Sequence, residues 1–315
     1  MAKIEGLKKY ANAIYQNAMV GKQSCSDILP KIEDEELKKR VDVLYDYWQD
    51  NDVKSIYCQD VLNDTTTGRF IDCKYPFMAT ARLSGMMLDY KKLVRLGVNG
   101  LIDLIEKNES NTFMEACLKT MYLFKDVIRR QIELVKDAIE KTQDVQRLKD
   151  LHLMKEDLVY ILDHKPATFH QALQLFWLYA LCAGCINYGR MDIVLGPYLK
   201  HDIDTGLIDE DEAYRYVKSL WTMIENRRTT VNGRIIVGGK GRENVEAADL
   251  FCKIALRVCK DTRYVEPQFT LRFDHTTPDY IMDMAYECIA SGATYPTLYN
   301  DEVNKWKNKG MSDSE

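Results

Sequence analysis

Apolar positions recur at three- and four-residue spacing through most of the first half of the chain. They predict amphipathic helices over Lys3–Met19, Asp34–Trp48 and Asp89–Lys107, each with charged residues on the opposite face. A longer amphipathic run covers Thr112 to about Lys141, and Val145–Asp163 is its expected partner in a helical hairpin. Asn51–Pro76 is the least regular part. The pattern then changes character. From Leu175 to Ile186 no charged residue and no polar face interrupts the run LFWLYALCAGCI, so this helix is expected to be buried all round. Thr168 and Gln171, just after Pro166, have the spacing of a capping box and set its start. The run is too short to cross a bilayer, which takes roughly 20 apolar residues.

That helix is expected to run into Gly184, Asn187 and Gly189 and so to break inside the protein, with Arg190 and Asp192 following at once. A buried charge needs a partner. Asp192 lies too close to Arg190 along the chain to be assumed as one. Beyond it, Val194–Asp204 reads as a helix closed by Gly206, and Asp209 with Glu212 opens another over Glu210–Asn226. Short β-branched runs follow: RIIVGG, PQFTLRF and, weaker, YPTLYN, separated by helices near Val245–Cys259 and Asp279–Ser291. Alternating short strands and helices predict an α/β layer, with Arg234–Gly239 and Glu266–Phe273 side by side in one sheet.

Composition narrows the classes of partner. The 315 residues carry a net charge of −5, with 46% hydrophobic and 29% charged residues. Nothing in this balance gives an electrostatic footprint for nucleic acid or an anionic membrane. MAKIEGLKKYANAIY is amphipathic and lacks the apolar core of a signal peptide, so a cytoplasmic protein with nine reduced cysteines is expected.

Candidate chemistry is sparse. Cys182-Ala-Gly-Cys185 is formally a CxxC, but it lies at the far end of an apolar helix, where the dipole raises a thiol pKa; packing is the expected role. Gly238-Gly239-Lys240-Gly241 follows a strand and precedes a helix, as phosphate loops do. No Ser or Thr follows the lysine, and a tight surface turn is expected instead. The five histidines show no paired ligand spacing, and most of them read as surface or boundary residues; no metal site is expected. Arg82, Arg190 and Arg272 stand beside glycines or apolar strands, where each charge must be paired internally or face an anion. Tyr299-Asn300-Asp301 ends a strand and starts a helix, as a cap or as the lip of a site.

Several segments in fixed order resemble the N-terminal half of glycyl-radical enzymes, the relatives of pyruvate formate-lyase. They are the buried helix, YGRMD, PYLKHDIDTG, the VGG loop, EPQFTLRF with TPDY, and SGATYPTLYNDEV, with a weaker match at ATARLSGMMLDYKKLVRLG. The resemblance implies a predominantly helical α/β protein: the first half of a ten-stranded α/β barrel inside a helical shell. Residues 1–165 would be shell and 166–315 the half-barrel with its helices, within one continuous domain. It also implies a small-molecule substrate, a radical-SAM activating enzyme as partner, and a homodimer. The glycyl radical would belong to the full-length enzyme, with no cofactor bound to this portion.

The family's thiyl-forming cysteine and glycyl loop have no counterpart in these 315 residues, so no catalytic residue is assigned and no glycine-centred EPR doublet is expected from this polypeptide. Where glycerol- and choline-type lyases carry a His-Ser pair, this chain has Gly184 and Cys185. A polyol dehydratase is therefore disfavoured, and Arg82, in a segment resembling one that binds carboxylate, favours a carboxylate or keto-acid substrate. Cleavage or formation of a C–C or C–X bond is the implied activity. The alternatives are a catalytically inert helical binding or regulatory module on the same scaffold and, more distantly, a nucleotide binder using the Gly238 loop. Cys185, Asn187 and Arg190 are expected to line or brace one pocket with Arg272, Tyr299, Asn300 and Asp301. The competing expectation is that Arg190 simply ties two helices together through an aspartate or glutamate.

Overall fold

A computed structural model describes residues 83–183, 185–226 and 233–303. The helices expected at Lys3–Met19 and Asp34–Trp48, the irregular Asn51–Pro76 segment, Arg82 and Gly184 lie outside the described residues. The elements run β1 (Leu83–Met87), α1 (Tyr90–Glu106), α2 (Thr112–Lys141), α3 (Val145–Asp163), α4 (Phe169–Cys182), β2 (Cys185–Gly189), α5 (Met191–Asp204), α6 (Glu210–Asn226), β3 (Arg234–Gly238), α7 (Val245–Thr262), β4 (Gln268–Phe273), α8 (Asp279–Ala290) and β5 (Thr297–Asn300).

The five strands form one sheet in sequence order, β1 to β5, and every neighbouring pair is parallel. Parallel neighbours need crossovers, which the helices provide. The expected pairing of the RIIV and QFTLRF strands is observed as an uninterrupted register from Arg234↔Gln268 to Gly238↔Arg272.

The absence of a polar face on α4 has a direct cause, because the helix lies between two cores. Leu173, Phe176, Trp177 and Ala180 join the cluster that covers the sheet with α5 to α8. Leu175, Leu178 and Cys182 join a second cluster with α1, α2 and α3. Each large side chain so enclosed contributes about 1.5–3 kcal/mol. The capping box is formed as expected: the Thr168 hydroxyl accepts from the Gln171 amide, and the Gln171 side chain accepts from the Thr168 amide. Thr168→Ala is expected to cost about 1 kcal/mol in urea denaturation; an unchanged midpoint would show the cap to be redundant.

Two expectations are corrected here. The apolar run does not stay helical to Ile186: α4 ends at Cys182, and Cys185–Gly189 is a strand pairing with β1 and β3. A continuous apolar run fits a strand buried on one face as well as it fits a helix, and tertiary pairing decides. His170 is an exception to the surface or boundary placement read for most of the histidines. It is buried on α4, its Nδ1 hydrogen-bonded to the buried Asp157 carboxylate of α3 and its ring 4.6 Å from Tyr216. The pair fastens the outer helical layer to the central helix.

Candidate functional site

Side chains alternate across a strand, so the buried residues identify the opposite face. Ile235 and Val237 of β3, with Phe269 and Leu271 of β4, are buried under the helices. On β2, Tyr188 packs at 6.4 Å and 6.1 Å against the rings of Phe176 and Trp177. The other face carries the polar groups in rows fixed by the register. Asn187, Arg234 and Gln268 form the first row, Ile236, Thr270 and Thr297 the second, and Gly238, Arg272 and Tyr299 the third. Arg234, Ile236, Gln268, Thr270, Arg272, Tyr295, Thr297 and Tyr299 line an open-sided cavity of about 350 Å³ on this inner face. Burial raises the pKa of the Tyr295 phenol, with Glu266 adding to the rise and Arg234 opposing it, so the hydroxyl stays a donor at neutral pH.

Three arginine–aspartate pairs hold the loops at the C-terminal rim of the sheet. The chain leaves β2 through Gly189 at φ +59° and turns straight into α5, so Arg190, at its N-cap, folds back over the first turn. Its Nε and Nη2 donate to Asp192 at 3.0 Å and 2.9 Å, and Nη2 also donates to the Gly238 carbonyl at 2.7 Å. Asp192, fully buried, accepts the Gly238 amide at 2.8 Å. The partner of Arg190 is thus the residue that the sequence had set aside as too close. Two residues suffice because the strand-to-helix corner reverses the chain. Arg272 likewise donates to Asp301 at 2.8 Å and 3.0 Å, and Asp301 accepts the Lys240 amide at 2.8 Å. Arg242 pairs with Asp249 and donates to the Gly239 carbonyl at 2.7 Å.

These contacts correct the reading of the glycine loop. Only its second half is at the surface: Lys240 and Gly241 are exposed, but Gly238 and Gly239 are buried, at φ +75° and +72°. A Cβ on Gly238 would collide with the Arg272 carbonyl, and one on Gly239 with the Asp301 carboxylate and the Arg272 stem. The Gly238 and Lys240 amides, which a phosphate would need, are already taken by Asp192 and Asp301.

The sequence-derived site residues divide accordingly. Arg272 and Tyr299 line the cavity, and Asp301 sits behind Arg272. Cys185 and Asn187 lie on β2 at inner-face positions. Asn187 and Arg272 stand two strands and four residues apart, about 16 Å from the sheet spacings. The Asn187 side-chain oxygen accepts from Gly189, and the Cys185 thiol donates to the Asn187 carbonyl at 3.4 Å. Asn300 points to the other face, where its side-chain oxygen caps the turn at Glu302 and Val303. Cys185, Asn187, Arg190 and Asn300 do not line the cavity that Arg272 and Tyr299 share. Sequence reading missed Arg234, Gln268, Thr270, Tyr295 and Thr297; reading the RIIVG and QFTLRF runs at period two would have put the first three on one face. Among the described residues no cluster of His, Cys, Asp and Glu could hold a metal, and no helix is long and apolar enough to cross a membrane.

A family model described as pyruvate formate lyase-like matches residues 15–315. The (2S)-3-sulfopropanediol dehydratase of Klebsiella oxytoca is 26% identical over 321 residues, covering 89% of this chain and 38% of that protein. The trans-4-hydroxy-L-proline dehydratase of Clostridioides difficile is 25% identical over 241 residues, covering 69% and 30% respectively. Among solved structures, a glycyl radical enzyme from Archaeoglobus fulgidus superposes with a TM-score of 0.60 at 21% identity, over 73% of this chain and 34% of that one. The chain thus spans about a third of the length of these relatives, and the structural likeness establishes the half-barrel fold.

Proposed function

The chain belongs to the pyruvate formate lyase-like family, and from that premise we propose that it forms the first half-barrel of a glycyl-radical lyase acting on a small anionic substrate. The substrate carries a carboxylate, as a keto acid does, or a like anionic group, and the reaction breaks or forms a C–C or C–X bond. The observation that carries this reading is the inner-face cavity, where guanidinium, amide and hydroxyl groups converge over a sheet whose other side is dry core. Such a surface positions a small polar molecule while keeping bulk water from one side of it. The names of the two dehydratases above supply a sulfonate and an amino-acid carboxylate, in keeping with an anionic group.

A glycyl radical installed by a radical-SAM activase would supply hydrogen-atom abstraction in the full-length enzyme, which we take to be a homodimer. No described cysteine lines the cavity, so this portion is given binding and orientation only. Its residues would hold the anionic end and present the hydroxyl-lined middle of the cavity to the rest of the substrate.

The test is turnover by the full-length protein that contains this chain, activated anaerobically with S-adenosylmethionine and its activase. Consumption of at least one small hydroxy-carboxylate, keto acid or hydroxy-sulfonate is expected. Activity confined to uncharged diols would overturn the anionic reading, and binding without turnover of any candidate would favour the inert module.

A further inference from the structure

Resting on that anionic-substrate reading, we infer that Arg234 is the residue that anchors the anionic group, and that the arginines prominent in the sequence are not. Arg190 and Arg272 are each held by two hydrogen bonds to one aspartate whose side chain is 0% and 6% exposed respectively. Their charge is neutralised by a buried carboxylate, and the Nε/Nη2 edge of each is spent on that acceptor, which leaves Arg272 only its Nη1 edge toward the cavity. Arg234 differs in each respect. It is exposed on the inner face, lines the same cavity, and makes no hydrogen bond or ion pair with a described residue.

Its surroundings suit an anion. The register places the neutral amides Asn187 and Gln268 on either side of Arg234, so three adjacent strands present side-chain donors in one line. Thr270 and Thr297 stand one row above, about 6.6 Å along the strands, within reach of an arginine stem. Glu266 and Arg234 both act on the Tyr295 phenol, in opposite directions, and Glu266 has a partner of its own. A planar guanidinium with free donors takes a carboxylate or sulfonate through two parallel hydrogen bonds. The ordinary role of a charge at the first residue of a strand is solvation at the sheet's end. Arg234 instead lies over the concave face, between two amides.

The test is saturation-transfer NMR titration of this chain with three probes: lactate, isethionate and neutral 1,2-propanediol. Lactate and isethionate distinguish a carboxylate from a sulfonate preference. The chain is expected to bind at least one anion more tightly than the diol. Arg234→Gln is expected to weaken that binding about 10- to 100-fold, and Arg234→Lys to restore part of it. Because Arg234 has no hydrogen-bond or ion-pair partner among the described residues, the Arg234→Gln melting temperature is expected to match the parent's; Lys91→Gln, whose ion pair with Glu243 lies outside the cavity, controls for loss of surface charge. Anion binding that survives Arg234→Gln overturns this inference and leaves the anionic-substrate reading intact. Equal binding of diol and anions, or no saturable binding by a chain that melts cooperatively, overturns both.

Discussion

Arg190→Met is expected to lower the unfolding free energy by about 3–5 kcal/mol, the usual cost of removing one partner from a buried ion pair. Asp192 is 0% exposed and accepts two of its three described side-chain hydrogen bonds from this guanidinium. With Arg190 gone, a buried carboxylate keeps only the Gly238 amide, while methionine fills most of the stem volume. Two features distinguish a lost charge partner from lost packing. Adding Asp192→Asn to Arg190→Met should recover part of the loss, since the uncompensated charge is then gone. The urea m-value should stay constant, because the surface exposed on unfolding is the same. A loss under about 1 kcal/mol would show that water or a shifted loop replaces the clamp.

Gly238→Ala is expected to cost about 2–5 kcal/mol by adding two independent penalties. The left-handed backbone at φ +75° is unfavourable for any L residue by about 1–2 kcal/mol. The new methyl also meets the carbonyl of Arg272 on the paired strand. That obstacle is backbone, so it cannot rotate aside, and relief requires parting β3 from β4 at a cost of about 1–3 kcal/mol. Hydrogen exchange should show where the strain goes, with amides at the C-terminal ends of β3 and β4 losing protection before those of α7. Retained stability together with retained protection would contradict the close approach.

The helical layers were legible in the sequence because their periodicity is long and their caps are local. Thr168 with Gln171 and Asp209 with Glu212 mark helix starts through contacts three residues apart, and α2 and α3 lie where the pattern put them. β3 and β4 were legible for a related reason, a β-branched or aromatic run bounded by glycine, proline or aspartate. β2 was not, since CINYG continues an apolar run and only pairing with β1 and β3 makes it a strand. The site was harder to read because its residues take their roles from partners far away in sequence. Nothing near Arg272 announces Asp301, 29 residues on, as its acceptor. Arg234 was passed over because its neighbours on the inner face follow from a register that only the folded sheet supplies.

The Gly238–Arg242 loop has a kinetic consequence. Its Gly238 amide and carbonyl, its Gly239 carbonyl and its Lys240 amide are all bonded to charged side chains from three sequence neighbourhoods. Lids and gates come from segments whose opening costs little, with few such ties. This loop has the opposite construction, and swinging it out would break several charge-assisted bonds at once. The rim it forms therefore behaves as a fixed doorframe. Under the proposed function, the rate of ligand entry should therefore be insensitive to substitutions along this rim that leave the fold intact.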